Sequence, residues 1–154
     1  MWFDVNKAIE VLLYVAQAVD VIEPLLVTTY VADKKHLERW GRLIYGETYV
    51  TAFCGVRPVH LHSLLTSRRG EIDFKLRDGG IIEPTRKPNL DLLSESDVKC
   101  LEEAVQECID DWRTKDQEDI VFEEAQGVIK LITEMDIAKT LPCADDLCEY
   151  LRYE

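Results

Sequence analysis

The chemistry this chain could carry rests on three histidines, five cysteines and a large excess of carboxylates. His60 and His62 form a His-x-His pair. On a helix, positions two apart point to different faces, so shared metal ligation needs a strand or a loop. No nearby Cys, Asp or Glu completes a ligand set, and the expectation is no metal. Cys54 or another thiol could pair with His36, His60 or His62 as nucleophile and base. No local signature of a cysteine enzyme surrounds any of the five, and a cysteine buried as a small hydrophobe is the commoner arrangement. Asp110-Asp111, Glu123-Glu124 and Asp145-Asp146 read as solvated helix faces rather than as acid–base pairs. Gly79-Gly80 lacks the following Lys and Ser/Thr of a phosphate loop and reads as a turn. The sequence thus predicts no catalytic residues and no cofactor, and a protein that is not an enzyme.

The carboxylates have a second possible use. Thirty Asp and Glu against 18 Lys and Arg leave a net charge of −12 over 154 residues. This balance argues against direct nucleic-acid binding, which needs clustered cations, and against an anionic membrane surface. It suits steering toward a partner protein with a basic surface. Cys54, Cys100, Cys108, Cys143 and Cys148 are odd in number and none forms a Cys-x-x-Cys pair, which predicts reduced thiols and a cytoplasmic location. No apolar run approaches the roughly 18 residues of a membrane span, and the N-terminus lacks a basic leader region.

The elements that must position these residues are mostly helical. Asp4 is placed to cap a first helix whose Ala8, Ile9, Leu12, Leu13, Ala16 and Val19 share one face. Pro24 suits the first turn of a second helix, running toward Trp40 and stopping at Gly41, with Leu26, Tyr30, Leu37 and Trp40 inward. Lys34, Lys35 and His36 form a small cationic spot on it. Tyr49 to Phe53 reads as a short strand or extended link. Pro58 precedes a helix containing Leu61, Leu64 and Leu65. The stretch EIDFKLRDGGIIEP reads as a hairpin turning at Asp78-Gly79-Gly80. Ser94, with Asp97 three residues on, approximates a capping box for a helix with Val98, Leu101, Val105, Cys108, Ile109 and Trp112 as its apolar stripe. DIVFEEAQGVIKLITEM predicts a further helix, weakened at Gly127, and Pro142 introduces a last one through Leu147 and Leu151. The expected fold is a single compact domain over residues 1–154, mostly α, with about six helices around one core and a small β-hairpin.

Three stretches, in order, resemble the Panacea domain, the family of SocA-like antitoxins that includes phage-associated proteins. TTYVADKKHLERWGRLIYGETYV is similar to its L-L-Y-x-A-D segment and G-x-x-Y element, with Tyr30, Ala32, Asp33, Gly41, Gly46 and Tyr49 at matching positions. FCGVRPVHLHSLL places Gly55 and Pro58 where the family has a Y-G-P-V-P turn. KPNLDLLSESDVKCLEEAV is similar to the family's D-x-L-S-x-S-D helix start through Leu93, Ser94, Ser96 and Asp97. The chain departs at Thr28 and Thr29, which replace paired leucines, and at Arg57, which puts a cation where an apolar residue is expected. The resemblance implies an antitoxin-like inhibitor that neutralises a partner by direct binding, with Tyr30, Asp33, His36, Tyr45, Arg57 and His60 as partner-binding residues. The alternative expectation is a phage or mobile-element anti-defence protein, whose acidic surface blocks a nucleic-acid-binding host effector.

Overall fold

Asp4 starts the first helix. In the computed structural model, which describes residues 2–52, 55–67, 72–112 and 130–152, its carboxylate accepts the Lys7 N–H at 3.1 Å and α1 runs Val5–Ala16. A cap of this kind contributes about 1 kcal/mol. The second helix, α2 (Ile22–Trp40), has Pro24 in its first turn, where an N–H would lack a helical partner, and ends on Gly41 in the left-handed conformation.

Strand β1 (Tyr49–Ala52) follows, then β2 (Gly55–Pro58) and α3 (Val59–Thr66). The hairpin is β3 (Phe74–Arg77) with β4 (Ile81–Pro84), its turn supplied by Gly79 and Gly80 at positive φ. A short 3-10 turn (Leu90–Leu92) leads into α4 (Glu95–Cys108), which opens with the full Ser94/Asp97 capping box. Strand β5 (Lys130–Ile132), α5 (Glu134–Ala138) and α6 (Ala144–Arg152) complete the described residues. The fold is mostly α with a small β content, as the periodicity indicates.

Apolar burial explains why α2 is central. Leu25, Leu26 and Ala32 join a core built with α1, α3, α4 and the hairpin, which includes Leu12, Leu13, Leu61, Phe74, Ile82 and Leu101. Tyr30 and Leu37 join a second cluster with Tyr49, Val56, Ile132, Ile137 and Leu147. The single core expected from the sequence is therefore two clusters, both of which α2 joins. Thr28 and Thr29 are fully covered in this helix. Their hydroxyls donate back to the carbonyls of Pro24 at 2.7 Å and Leu26 at 2.8 Å, which makes buried threonine tolerable there.

Three local expectations are corrected. Residues 130–132, read as helix, form a strand that pairs antiparallel with β1, Tyr49 facing Ile132 and Thr51 facing Lys130. Strand β1 thus has a neighbour on each side in the order β2-β1-β5, and pairing of an open strand edge outweighs the helical pattern. The helix restarts at Thr133, which makes a second capping box with Asp136. Gly55–Pro58, where the resemblance implies a turn, form β2 and pair with β1. Ile109, placed on the apolar stripe of α4, stands 48% exposed just past its end. Cys54 and the stretch 113–129, including Gly127, lie outside the described residues. Among the described residues no helix is long and apolar enough to cross a membrane.

The N-terminal segment is pinned by close backbone approach. A Cβ at Gly46 (φ +80°) would lie 2.4 Å from the Trp2 carbonyl oxygen, whereas one at Gly79 (φ +82°) would meet nothing within 4 Å. Gly79→Ala should therefore lose only the positive-φ preference, about 1–2 kcal/mol. Gly46→Ala should lose at least about 2 kcal/mol more, because backbone has to move. Urea midpoints at constant m-value measure both losses, and equal losses would show that Trp2 is not seated against Gly46.

Candidate functional site

The densest polar cluster is centred on Asp97, in the first turn of α4 and fully buried. Its Oδ2 accepts the Ser94 N–H at 2.9 Å and the Lys7 ammonium at 2.7 Å. Its Oδ1 faces His36 Nε2 at 3.2 Å and Arg42 Nη2 at 3.4 Å. One carboxylate thus ties α1, α2 and the chain after α2 to the start of α4. Burial alone would raise its pKa. Hydrogen bonds from His36, Lys7 and the Ser94 backbone, with the charge of Lys7, overcome that and hold the carboxyl well below the usual range.

The same cluster brings a hydroxyl to a histidine. Ser96 Oγ lies 2.9 Å from His36 Nε2, and His36 Nδ1 lies 2.9 Å from the Arg42 carbonyl oxygen. A serine nucleophile needs the carboxylate on one ring nitrogen and its own hydroxyl on the other. Here Asp97 and Ser96 share Nε2, while a backbone carbonyl occupies Nδ1. His36 is also fully covered, so a substrate has no approach to it. The arrangement holds helices together rather than activating Ser96.

Two further buried carboxylates fasten α2 and the chain after it to β1 and α3. Asp33 accepts the Ile44 N–H at 2.8 Å and the Tyr49 hydroxyl, joining α2 to β1. Burial pushes its pKa up to about 7, against the opposing effect of those two hydrogen bonds. Glu47 lies at the start of α3, where the N-cap residue is Pro58 and offers no side-chain acceptor. Its two oxygens accept the His60 N–H at 2.8 Å, the Leu61 N–H at 2.9 Å and the Tyr45 hydroxyl at 2.7 Å. A carboxylate from outside the helix thus serves as its cap. On the far side of α1, Glu10 makes a two-pronged pair with Arg86, both contacts at 2.8 Å.

The six residues expected to touch a partner divide accordingly. Tyr30, Asp33, His36 and Tyr45 are at most 1% exposed and belong to the interior. The resemblance implies recognition at these positions, but their spacing along α2 and the following loop turns them inward. The cationic spot at Lys34, Lys35 and His36 dissolves for the same reason. Lys34 sits over the Tyr30 ring, Lys35 pairs with Glu107 at 2.8 Å, and His36 is internal. Arg57 and His60 are half-buried. Arg57 pairs with Glu23 at 2.9 Å, and the His60 ring stacks on Phe3 with centroids 4.2 Å apart. Among the described residues, no group of three His, Cys, Asp or Glu side chains is placed to hold a metal.

What lies outside was not singled out from the sequence as a surface. Trp2, Ile72, Tyr150 and Trp40 are 93%, 84%, 53% and 45% exposed. Their signal was only that Trp2, Ile72 and Tyr150 fall off every apolar stripe; Trp40 was expected to point inward and does not.

Asp33 and Asp97 act on stability with opposite sign. With its folded pKa near 7 and the ordinary value at 3.8, the folded chain binds more protons at Asp33 than the unfolded chain does between those limits. Its contribution therefore falls as pH rises through that window. The pKa of Glu10, held down chiefly by the Arg86 hydrogen bonds, and that of Asp97 lie below their ordinary values. Their contributions are present above about pH 4 and are lost in acid. Stability should peak near pH 5 and decline toward pH 8 by on the order of 2–4 kcal/mol. Asp33→Asn, whose amide can still accept from Ile44 and donate to the Tyr49 oxygen, should flatten that decline and leave the acid limb intact. Urea unfolding across the pH range tests this, and an unchanged slope in the variant would place the titration elsewhere.

Comparison adds no relative to this geometry: the chain matches no family model, no curated protein and no solved structure.

Proposed function

We propose that the protein acts without catalysis, as an inhibitor that binds a partner protein directly and neutralises it in the manner of an antitoxin. The observation that carries this reading is the division between interior and exterior. Among the described residues every buried side-chain nitrogen and oxygen has a hydrogen-bond partner. The buried carboxylates Asp33, Glu47, Asp97 and Glu10 are all engaged in joining one element to another. Large aromatic and aliphatic side chains are instead left outside, on a chain of net charge −12. Exposed tryptophan and tyrosine are the side chains that anchor protein interfaces, and charge of one sign accelerates encounter with a basic partner.

The neutralising role comes from the resemblance of the Tyr30–Tyr49 and Leu93–Asp97 motifs to SocA-like antitoxins. A second reading shares the same surface. A net charge of −12 is what a mimic of nucleic acid carries, and it favours an anti-defence protein that occupies the basic channel of a host effector.

Affinity purification from the native host, followed by association kinetics with the recovered protein, tests both. The expected result is a basic protein whose association slows at least about tenfold between low and high salt. A partner that arrests growth when expressed alone supports the antitoxin. A partner that releases bound nucleic acid when the chain is added supports the anti-defence reading. A rate independent of salt, or full effect in the cell with no protein recovered, would overturn the proposal.

A further inference from the structure

The C-terminal end of α2 and the last helix, α6, leave between them a cleft of about 480 Å³. One wall carries Glu38 and Trp40, the other Asp146, Leu147 and Tyr150. The aromatic groups are held in place. The Trp40 ring lies 5.0 Å from the buried His36 ring, centroid to centroid. The Tyr150 ring covers Gly41 so closely that a Cβ there would be 2.7 Å from it. Both rings nevertheless remain about half exposed, while Leu147 beneath them is buried.

Charge at the cleft is one-sided. Its cation, Arg39, is taken by Glu103 of α4 in a two-pronged pair. Glu38 and Asp146 are exposed, and neither has an ion-pair partner among the described residues. Two aromatic rings over an aliphatic floor, rimmed by two carboxylates, match a side chain that is apolar along its stem and cationic at its tip. The methylenes of such a group lie on the rings and its head reaches the carboxylates. A guanidinium suits the site better than an ammonium, because it stacks on aromatic faces and bonds carboxylates through two nitrogens. A second copy of this chain is a poor occupant, since it would bring a further net charge of −12 toward an acidic rim.

We propose that this cleft is where the partner protein docks, by inserting an arginine side chain between α2 and α6. The inference rests on the protein-binding reading above and adds the surface and the chemistry recognised. It is testable with a blocked Arg-Leu-Arg peptide titrated into isotope-labelled protein, followed by amide and indole resonances. Shifts are expected at the Trp40 indole, Gly41 and Tyr150, with the Trp2 indole unmoved and with no response to Glu-Leu-Glu. Asp146→Lys should weaken peptide binding at least about tenfold. Asp78→Lys, the same charge change in the hairpin turn, should leave it within about twofold. Each variant is checked for an unchanged melting temperature, and Trp40→Ala provides a second, neutral route to the same loss.

Equal weakening by Asp146→Lys and Asp78→Lys would mean general electrostatic attraction and would overturn the cleft. So would shifts scattered over the acidic surface, or a wild-type dimer that Trp40→Ala converts to monomer. If a purified partner binds wild type and the Trp40→Ala, Asp146→Lys double variant equally well, the cleft fails while the binding reading stands. If wild type binds no partner at all, it is the binding reading that fails.

Discussion

Burying the Asp97 carboxylate is the constraint on which the helical half of the molecule turns. A carboxylate taken out of water costs several kcal/mol unless its lone pairs are filled by donors, and Asp97 fills them from four directions. The donors come from α1, α2, the chain after α2 and the start of α4, so none of these elements can shift without exposing or orphaning the charge. Hydrophobic burial between α2 and α4 is favourable but non-directional, and alone it would tolerate sliding of one helix along another. Asp97 does not tolerate it. The carboxylate converts a greasy contact into a fixed register, a role that matches how buried polar groups specify structure elsewhere.

Strand β1 and helix α3 are attached by the same device with different partners. Asp33 on α2 and Glu47 in the short chain between α2 and β1 both spend their oxygens on backbone N–H and a tyrosine hydroxyl. Burial pushes the Tyr45 and Tyr49 hydroxyls well above their ordinary pKa, so both stay neutral donors. A short sheet of three strands has few hydrogen bonds of its own. Its position against α2 is set by Asp33 holding Tyr49, the central strand's first residue, and by Tyr30 packing edge-on against the same ring at 5.1 Å. The difference between the two aspartates is that Asp97 is paired with cations and Asp33 is not. That is why one carboxyl is driven down and the other up.

The parts of this fold legible in the sequence are those whose causes are local. Asp4, Gly41, the Asp78-Gly79-Gly80 turn and the Ser94/Asp97 box act within a few residues, and each does what its type and spacing indicate. What escapes is action at long range. Asp97 is identifiable as a capping residue, but nothing near it announces Arg42, 55 positions away, or Lys7 on the first helix. Glu47 caps a helix that begins twelve residues later only because Pro58 cannot, and no spacing rule encodes that pairing. Lys130 to Ile132 fails for a related reason: a segment compatible with helix is recruited by the free edge of β1. Tyr30, Asp33, His36 and Tyr45, where the resemblance implies partner contact, are instead buried, each beside an internal partner that only the assembled fold provides.

The burial of those four residues separates what holds the molecule together from what it exposes. Tyr30, Asp33, Gly41, Gly46, Tyr49, Ser94 and Asp97 cap, turn and fasten the elements. Residues under that duty constrain architecture, and an architecture can serve unrelated partners. In the docking proposed above, selectivity comes instead from exposed side chains, Trp40 and Tyr150 at the end of α2 and on α6, with Glu38 and Asp146 around them. The two components of the proposed recognition also separate by range. Net charge acts across a Debye length and would set how often a basic partner arrives, whereas aromatic contact acts only on touching and would set how long it stays. A surface that carries both can change its partner by altering a few exposed residues, without disturbing the buried carboxylates on which the fold depends.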